Sequence, residues 1–101
     1  MAINHGFHAT MTAQPGRGAE LVDFLLNAPS VSNDDCAVFL VGRSAADRDI
    51  VHVTEGWTTA EAHRRFFATT EAQELVAKLQ TLIAGETRYT DEVPIGGKAA
   101  L

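Results

Sequence analysis

From Ile3 to Thr12 the chain alternates. Ile3, His5, Phe7, Ala9 and Met11 fall on one face, and Asn4, Gly6, His8, Thr10 and Thr12 on the other. A period of two is that of a half-buried strand. Pro15 and Gly16 break it, and Leu21, Val22, Leu25 and Leu26 then recur at helical spacing until Pro29. The stretch 29–35 reads as a loop. "CAVFLVGR" (36–43) is a nearly continuous apolar run, "SAADRD" a turn, and "IVHVTEGW" (50–57) a second strand, so the two form a hairpin.

Thr58 with Glu61 three residues on predicts a capping box for a helix carrying Ala62, His63, Phe66 and Phe67 on one side. Thr70 with Gln73 predicts a second cap, hence a break. Leu75, Val76, Leu79, Leu82 and Ile83 then form one stripe, which Gly85 is placed to end. Residues 86–93 read as a last, partly polar strand before Pro94, and 94–101 as a tail. The order β-α-β-β-α-β predicts an α+β, ferredoxin-like domain spanning 1–101, an antiparallel sheet with helices on one face. The second strand is apolar on both faces, Cys36, Val38 and Leu40 on one and Ala37, Phe39 and Val41 on the other. A sheet covered on one side normally alternates with polar residues. A second copy packed on the open face, giving a homodimer, accounts for the pattern. A loop or the tail covering that face is the alternative.

Composition narrows the function classes. The 101 residues carry a formal net charge of −5, which argues against nucleic acid or an anionic membrane as main partner. No segment has the length of a transmembrane helix, and "MAINHGFHAT" lacks a signal-peptide pattern. Cys36 is the one cysteine, so no internal disulfide or thiolate cluster is expected, and a reducing cytoplasm is the default location. Cys36 itself reads as buried and inert. His5, His8 and His52 invite a metal reading, with His8 and His52 facing the dimer interior. They lack zinc-site spacing, so no metal is expected. Gly16 and Gly18 open a helix and could hold an anion or simply make a turn.

The candidate chemistry lies in "VTEGWTTAEAHRRFF", Val53–Phe67. Strand phase puts Val51, Val53, Glu55 and Trp57 on one face, and the next helix brings His63 toward its end. Phe66 and Phe67, with Phe7 on the first strand, would give apolar walls, and Arg88 or Tyr89 a contribution from the last strand. An apolar pocket with a few polar groups is the usual small-molecule site. Its chemistry would be proton transfer, with His63 as general base and Glu55 fixing the tautomer. Each residue also has a purely structural reading. Glu55 could cap backbone, pair with Arg64 or Arg65, or hold the strand-to-helix corner. His63 could be a satisfied boundary residue, and Trp57 simply core.

The element order, "EGWTTAEAH" and the closing "VPIGGK" resemble the antibiotic biosynthesis monooxygenase domain, the quinol monooxygenase-like group. Glu55, Trp57, Ala62 and His63 match the family's Glu-x-Trp and Ala-His pattern, and Pro94, Gly96, Gly97 and Lys98 its close. The resemblance implies a dimeric α/β barrel with two sheets facing each other. It also implies oxidation of a small phenol or hydroquinone by O2 without flavin or metal. By resemblance Trp57 lines the pocket, and His63 stands where some polyketide-oxidising members place a tyrosine. Val53 replaces an asparagine of those members, and Phe66 a histidine of another branch. Ala9, Phe66 and Val76 stand where the haem-degrading branch has its asparagine, tryptophan and histidine, so haem degradation is not expected. The fold hosts other reactions. A non-oxidative isomerase of small carbonyl compounds using the same histidine, or a dimeric ligand-binding or stress-related protein without turnover, are the alternatives.

Overall fold

The computed structural model describes residues 3–98. The elements are β1 (His5–Thr12), α1 (Gly18–Leu26), β2 (Cys36–Arg43), β3 (Ile50–Trp57), α2 (Ala60–Phe67), α3 (Thr70–Leu82) and β4 (Arg88–Glu92). A 3-10 turn, Pro29–Ser32, occupies the expected loop. The strands pair antiparallel in the order β2-β3-β1-β4. Among the described residues no helix is long and apolar enough to cross a membrane.

One face of the sheet carries the core. Ala9 and Met11 of β1 and Val51 and Val53 of β3 pack against Leu21 and Leu25 of α1 and Leu79 and Leu82 of α3. These are the residues that period two and helical spacing assigned to the inner surfaces. A second cluster closes the end of the sheet, where Trp57 meets Ala62, Phe66 and Ala72 from α2 and α3.

The helix boundaries differ from expectation by one residue at both caps. Thr59, not Thr58, caps α2 and accepts from the Ala62 N–H at 2.9 Å. Thr69, not Thr70, caps α3 and accepts from the Ala72 N–H at 3.2 Å. Both sites are Thr-Thr doublets, and the Glu or Gln three residues on pointed to the wrong member each time. Thr58 is engaged elsewhere, its hydroxyl donating to Asp35 Oδ1 at 2.9 Å. Nor does Gly85 end α3. Ile83 already leaves the helix in extended conformation and bridges to Ala13, and Gly85 follows with φ of 76°.

A bulge between Cys36 and Val38 corrects the face assignment of β2. Cys36 lies opposite Trp57 and Val38 opposite Gly56, so the extra residue moves Cys36 to the helix side with Phe39 and Val41. Burial pushes the half-buried thiol up to about 11, with the Glu55 charge acting in the same direction, and its S–H donates to the Val38 carbonyl. The open face keeps Val38 and the 45% exposed Leu40. Gly56 lets Ile3 join them, since a Cβ there would stand 3.0 Å from Ile3 Cγ2 and 3.2 Å from Val38 Cβ. Apart from Ile50 at one end, the side chains on the rest of that face are polar. Thr10 bonds His52, Thr54 bonds His8, and His8 Nε2 lies 2.9 Å from Glu92.

The anion considered for Gly16 and Gly18 is supplied by the chain itself. The Asp49 carboxylate accepts from Gly16 N–H at 2.9 Å and from Gly18 N–H at 3.0 Å. It thus satisfies donors that the start of α1 leaves unpaired. Asp49→Ala is expected to lower stability by about 1–2 kcal/mol. Urea unfolding should show a lower midpoint with unchanged slope, and an unmoved midpoint would count against this capping role.

Candidate functional site

Glu55 sits mid-sheet on the helix side, with Phe7 of β1 on one flank and Phe39 of β2 on the other. Over this row the helices leave a cavity of about 280 Å³, walled by Phe7, Phe39, Glu55, His63, Phe67 and Tyr89. Its lining is apolar apart from a few groups, as in small-molecule sites. Leu75 and Leu79 of α3 close it from the helix side.

Trp57 and Glu55 share a strand face two residues apart. The indole N–H donates to Glu55 Oε1 at 2.8 Å. Trp57 is completely buried and stands behind the carboxyl rather than in the cavity wall. Burial pushes the Glu55 pKa up, and the Trp57 hydrogen bond partly opposes this. Among the described residues Glu55 makes no hydrogen bond to His63, Arg64 or Arg65. Its Oε1 is held by the indole of Trp57, and not by the imidazole it was expected to orient. Because its folded pKa is raised, Glu55 contributes stability that is present below its ordinary value of 4.5 and lost as pH rises through the folded pKa. Glu55→Gln keeps an acceptor for Trp57 and removes that loss. It should be more stable than the wild type at pH values above the folded pKa of Glu55, with the difference vanishing in acid. Urea titrations at several pH values measure this, and a pH-independent difference would refute it.

His63 lies one turn into α2, brought there by the Thr59 cap. Its ring is enclosed by His5 at 4.9 Å, Trp57 at 5.2 Å, Phe7 at 5.4 Å and Phe67 at 4.9 Å between centroids. Nε2 is buried and has no hydrogen-bond partner among the described residues. Such orphaned groups are rare in native interiors. Burial lowers the His63 pKa. His5 acts in the same direction, Asp91 opposes it, and Arg64 lowers it further. The imidazole is therefore mainly neutral at pH 7 and able to accept a proton.

Of the remaining sequence candidates, Phe7, Phe67 and Tyr89 line the cavity, with Phe7 and Tyr89 stacked at 5.5 Å. Tyr89 is half-exposed. Phe66 packs on Trp57 in the core behind. Arg88 pairs with Thr10 and belongs to the other face of the sheet. Sequence reasoning overlooked Phe39 and Asp91, and considered His5 only for metal. Phe39 could have been found from strand phase once the hairpin register was known. His5 and Asp91 required the β1–β4 register. Among the described residues no group of three His, Cys, Asp or Glu side chains is arranged to hold a metal ion.

The model of the antibiotic biosynthesis monooxygenase family matches residues 5–78. No curated protein matches the chain. Among solved structures, a protein of Chloroflexus aurantiacus J-10-fl with the provisional name antibiotic biosynthesis monooxygenase is 28% identical. It aligns over 94% of this chain and 96% of its own, with a TM-score of 0.83. A Caulobacter crescentus CB15 protein with the same provisional name is 19% identical, over 94% and 92% of the two chains, with a TM-score of 0.82. A Nitrosomonas europaea protein of unknown function is 16% identical, over 98% and 96%, with a TM-score of 0.80. The last two likenesses are likenesses of fold.

Proposed function

The chain belongs to the antibiotic biosynthesis monooxygenase family, and on that premise we propose that it oxidises a small phenol or hydroquinone-type aromatic with O2. The observation that carries this reading is the buried, unpartnered Nε2 of His63 in the aromatic wall of the cavity. A planar ring fits against Phe7, Phe39 and Phe67. His63 Nε2 takes the phenolic proton as general base. The resulting anion is electron-rich enough to reduce O2 itself, so no flavin or metal carries a step. A phenol and O2 give a quinone and water: one oxygen atom enters the ring, the other leaves as water, and the four electrons come from the substrate. Glu55, whose protonated form burial favours, gives a proton to the reduced oxygen.

A second reading rests on the same two groups. A neutral imidazole and a carboxyl with raised pKa on one cavity are also an acid–base pair for moving a proton next to a carbonyl. The experiment that separates them screens phenols, naphthoquinols and small carbonyl compounds under air and under nitrogen. The oxygenase reading expects O2 uptake with product and none under nitrogen. Product formed equally well under nitrogen supports the isomerase. Ligand-induced thermal stabilisation without any product supports a binding protein.

We also propose that two copies pair through their open sheet faces, seated on the Ile3, Val38 and Leu40 strip. Light scattering after gel filtration should give the dimer mass at micromolar concentration. Leu40→Lys should shift it toward monomer, and a monomeric wild type would contradict the pairing.

A further inference from the structure

We propose that His5 is a positioning residue for His63 and, with Asp91, forms the route by which the proton taken up by His63 reaches solvent. This rests on the proposed role of His63 as base. A base enclosed by rings must lose its proton before it can act again, and the enclosure leaves few exits. Of the rings around His63, Phe7 and Phe67 exchange no proton. The indole N–H of Trp57 is held by Glu55 at 2.8 Å. His5 is the remaining neighbour, its ring 4.9 Å away and tilted by 34°. It does not line the cavity. It therefore acts through His63 rather than on the substrate.

The far end of the route is polar. His5 Nε2 is buried and, like His63 Nε2, has no hydrogen-bond partner among the described residues. It lies 3.5 Å from Asp91 Oδ1, longer than an ordinary hydrogen bond but close enough to stabilise an imidazolium. The Asp91 side chain is 73% exposed while that of His5 is only 13% exposed. The series thus leads from a buried base through a nearly buried imidazole to a solvated carboxylate. The other charged groups near it are Arg64, which follows His63 on α2, and Glu55, which is turned to Trp57. Glu92 is engaged by His8 on the opposite sheet face.

The step balances without an oxidant. The substrate O–H breaks as N–H forms on His63. That proton then passes directly from His63 Nε2 to His5 Nε2 when a turn of the rings brings these two unpartnered atoms together, which their 4.9 Å centroid separation allows. Asp91 stabilises the His5 imidazolium until the proton leaves to bulk solvent, and both imidazoles return neutral.

The test has two arms. In the first, substrate-free protein is titrated by imidazole NMR as wild type, His5→Gln and Asp91→Asn. The His63 midpoint should rise when His5 is replaced and fall when Asp91 is neutralised. A midpoint unmoved in both folded variants overturns the proposal. The second arm follows turnover. His5→Gln should lower kcat about tenfold with unchanged KM, and millimolar imidazole in the buffer should restore it. A loss that added imidazole does not restore means His5 only packs, and also overturns the proposal. Because the titration needs no substrate, it still decides the linkage if the wild type turns nothing over. That outcome would remove the O2 reading instead.

Discussion

Trp57→Ala is expected to destabilise the protein by about 3–5 kcal/mol, the largest stability effect of any single truncation at the site. Trp57 is fully buried and closes the second core cluster against Ala62, Phe66 and Ala72. Truncation opens a cavity there and also strips the Glu55 carboxyl of its N–H donor. A buried acceptor left unsatisfied adds to the packing loss. Trp57→Phe separates the two contributions. It keeps most of the ring contact and loses the hydrogen bond, so it should cost less than Trp57→Ala. That cost should shrink when Glu55→Gln is present, because an amide is cheaper to leave unpaired than a carboxylate. Urea unfolding of the single and double variants reads both. Equal costs for Trp57→Phe with and without Glu55→Gln would show that the indole serves only as bulk.

The largest functional effect should come from His63. His63→Ala is expected to lower kcat/KM by about 10²- to 10⁴-fold, the usual contribution of a positioned general base. Stability should move the other way from that of Trp57→Ala when the imidazole is replaced by a side chain that fills its space. The unpartnered Nε2 makes the imidazole a poor core residue, so His63→Leu, which fills the space with apolar atoms, should be at least as stable as the wild type. A residue whose removal ends activity while sparing or raising stability is retained for chemistry. The pH profile gives the sign. The folded pKa of His63 is lowered below 6.5, so the base form persists above that value and is lost as pH falls through the lowered pKa. Wild-type kcat/KM should therefore decline in acid with a midpoint below 6.5. His63→Ala should abolish that limb. A profile unchanged in the variant would assign it to another group.

Much of the arrangement was legible in the chain. The two hairpin strands were bounded correctly at both ends because apolar runs stop at turn residues on each side. Strand phase alone put Glu55 and Trp57 on one face, and helical phase brought His63 toward them. What remained hidden depended on geometry that period and composition do not encode. The bulge that turns Cys36 to the helix side is an insertion of one residue into a run apolar at every step, where neither face looks wrong. The caps are Thr-Thr doublets in which hydrogen bonds made elsewhere decide which hydroxyl is free. Asp91 reaches His5 only through the β1–β4 register, which pairs Phe7 with Asp91. Glu55 had two partners in range, an imidazole on a helix and an indole on its own strand. Only coordinates distinguish them.

The most direct measurement is the fate of oxygen-18. A turned-over phenol or hydroquinone, reacted under ¹⁸O2 in ordinary water and quenched early, should carry one labelled atom in its product. The second should appear in water, and His63→Ala should give neither above background. Product that forms under nitrogen, or that takes its new oxygen from water, would contradict the account.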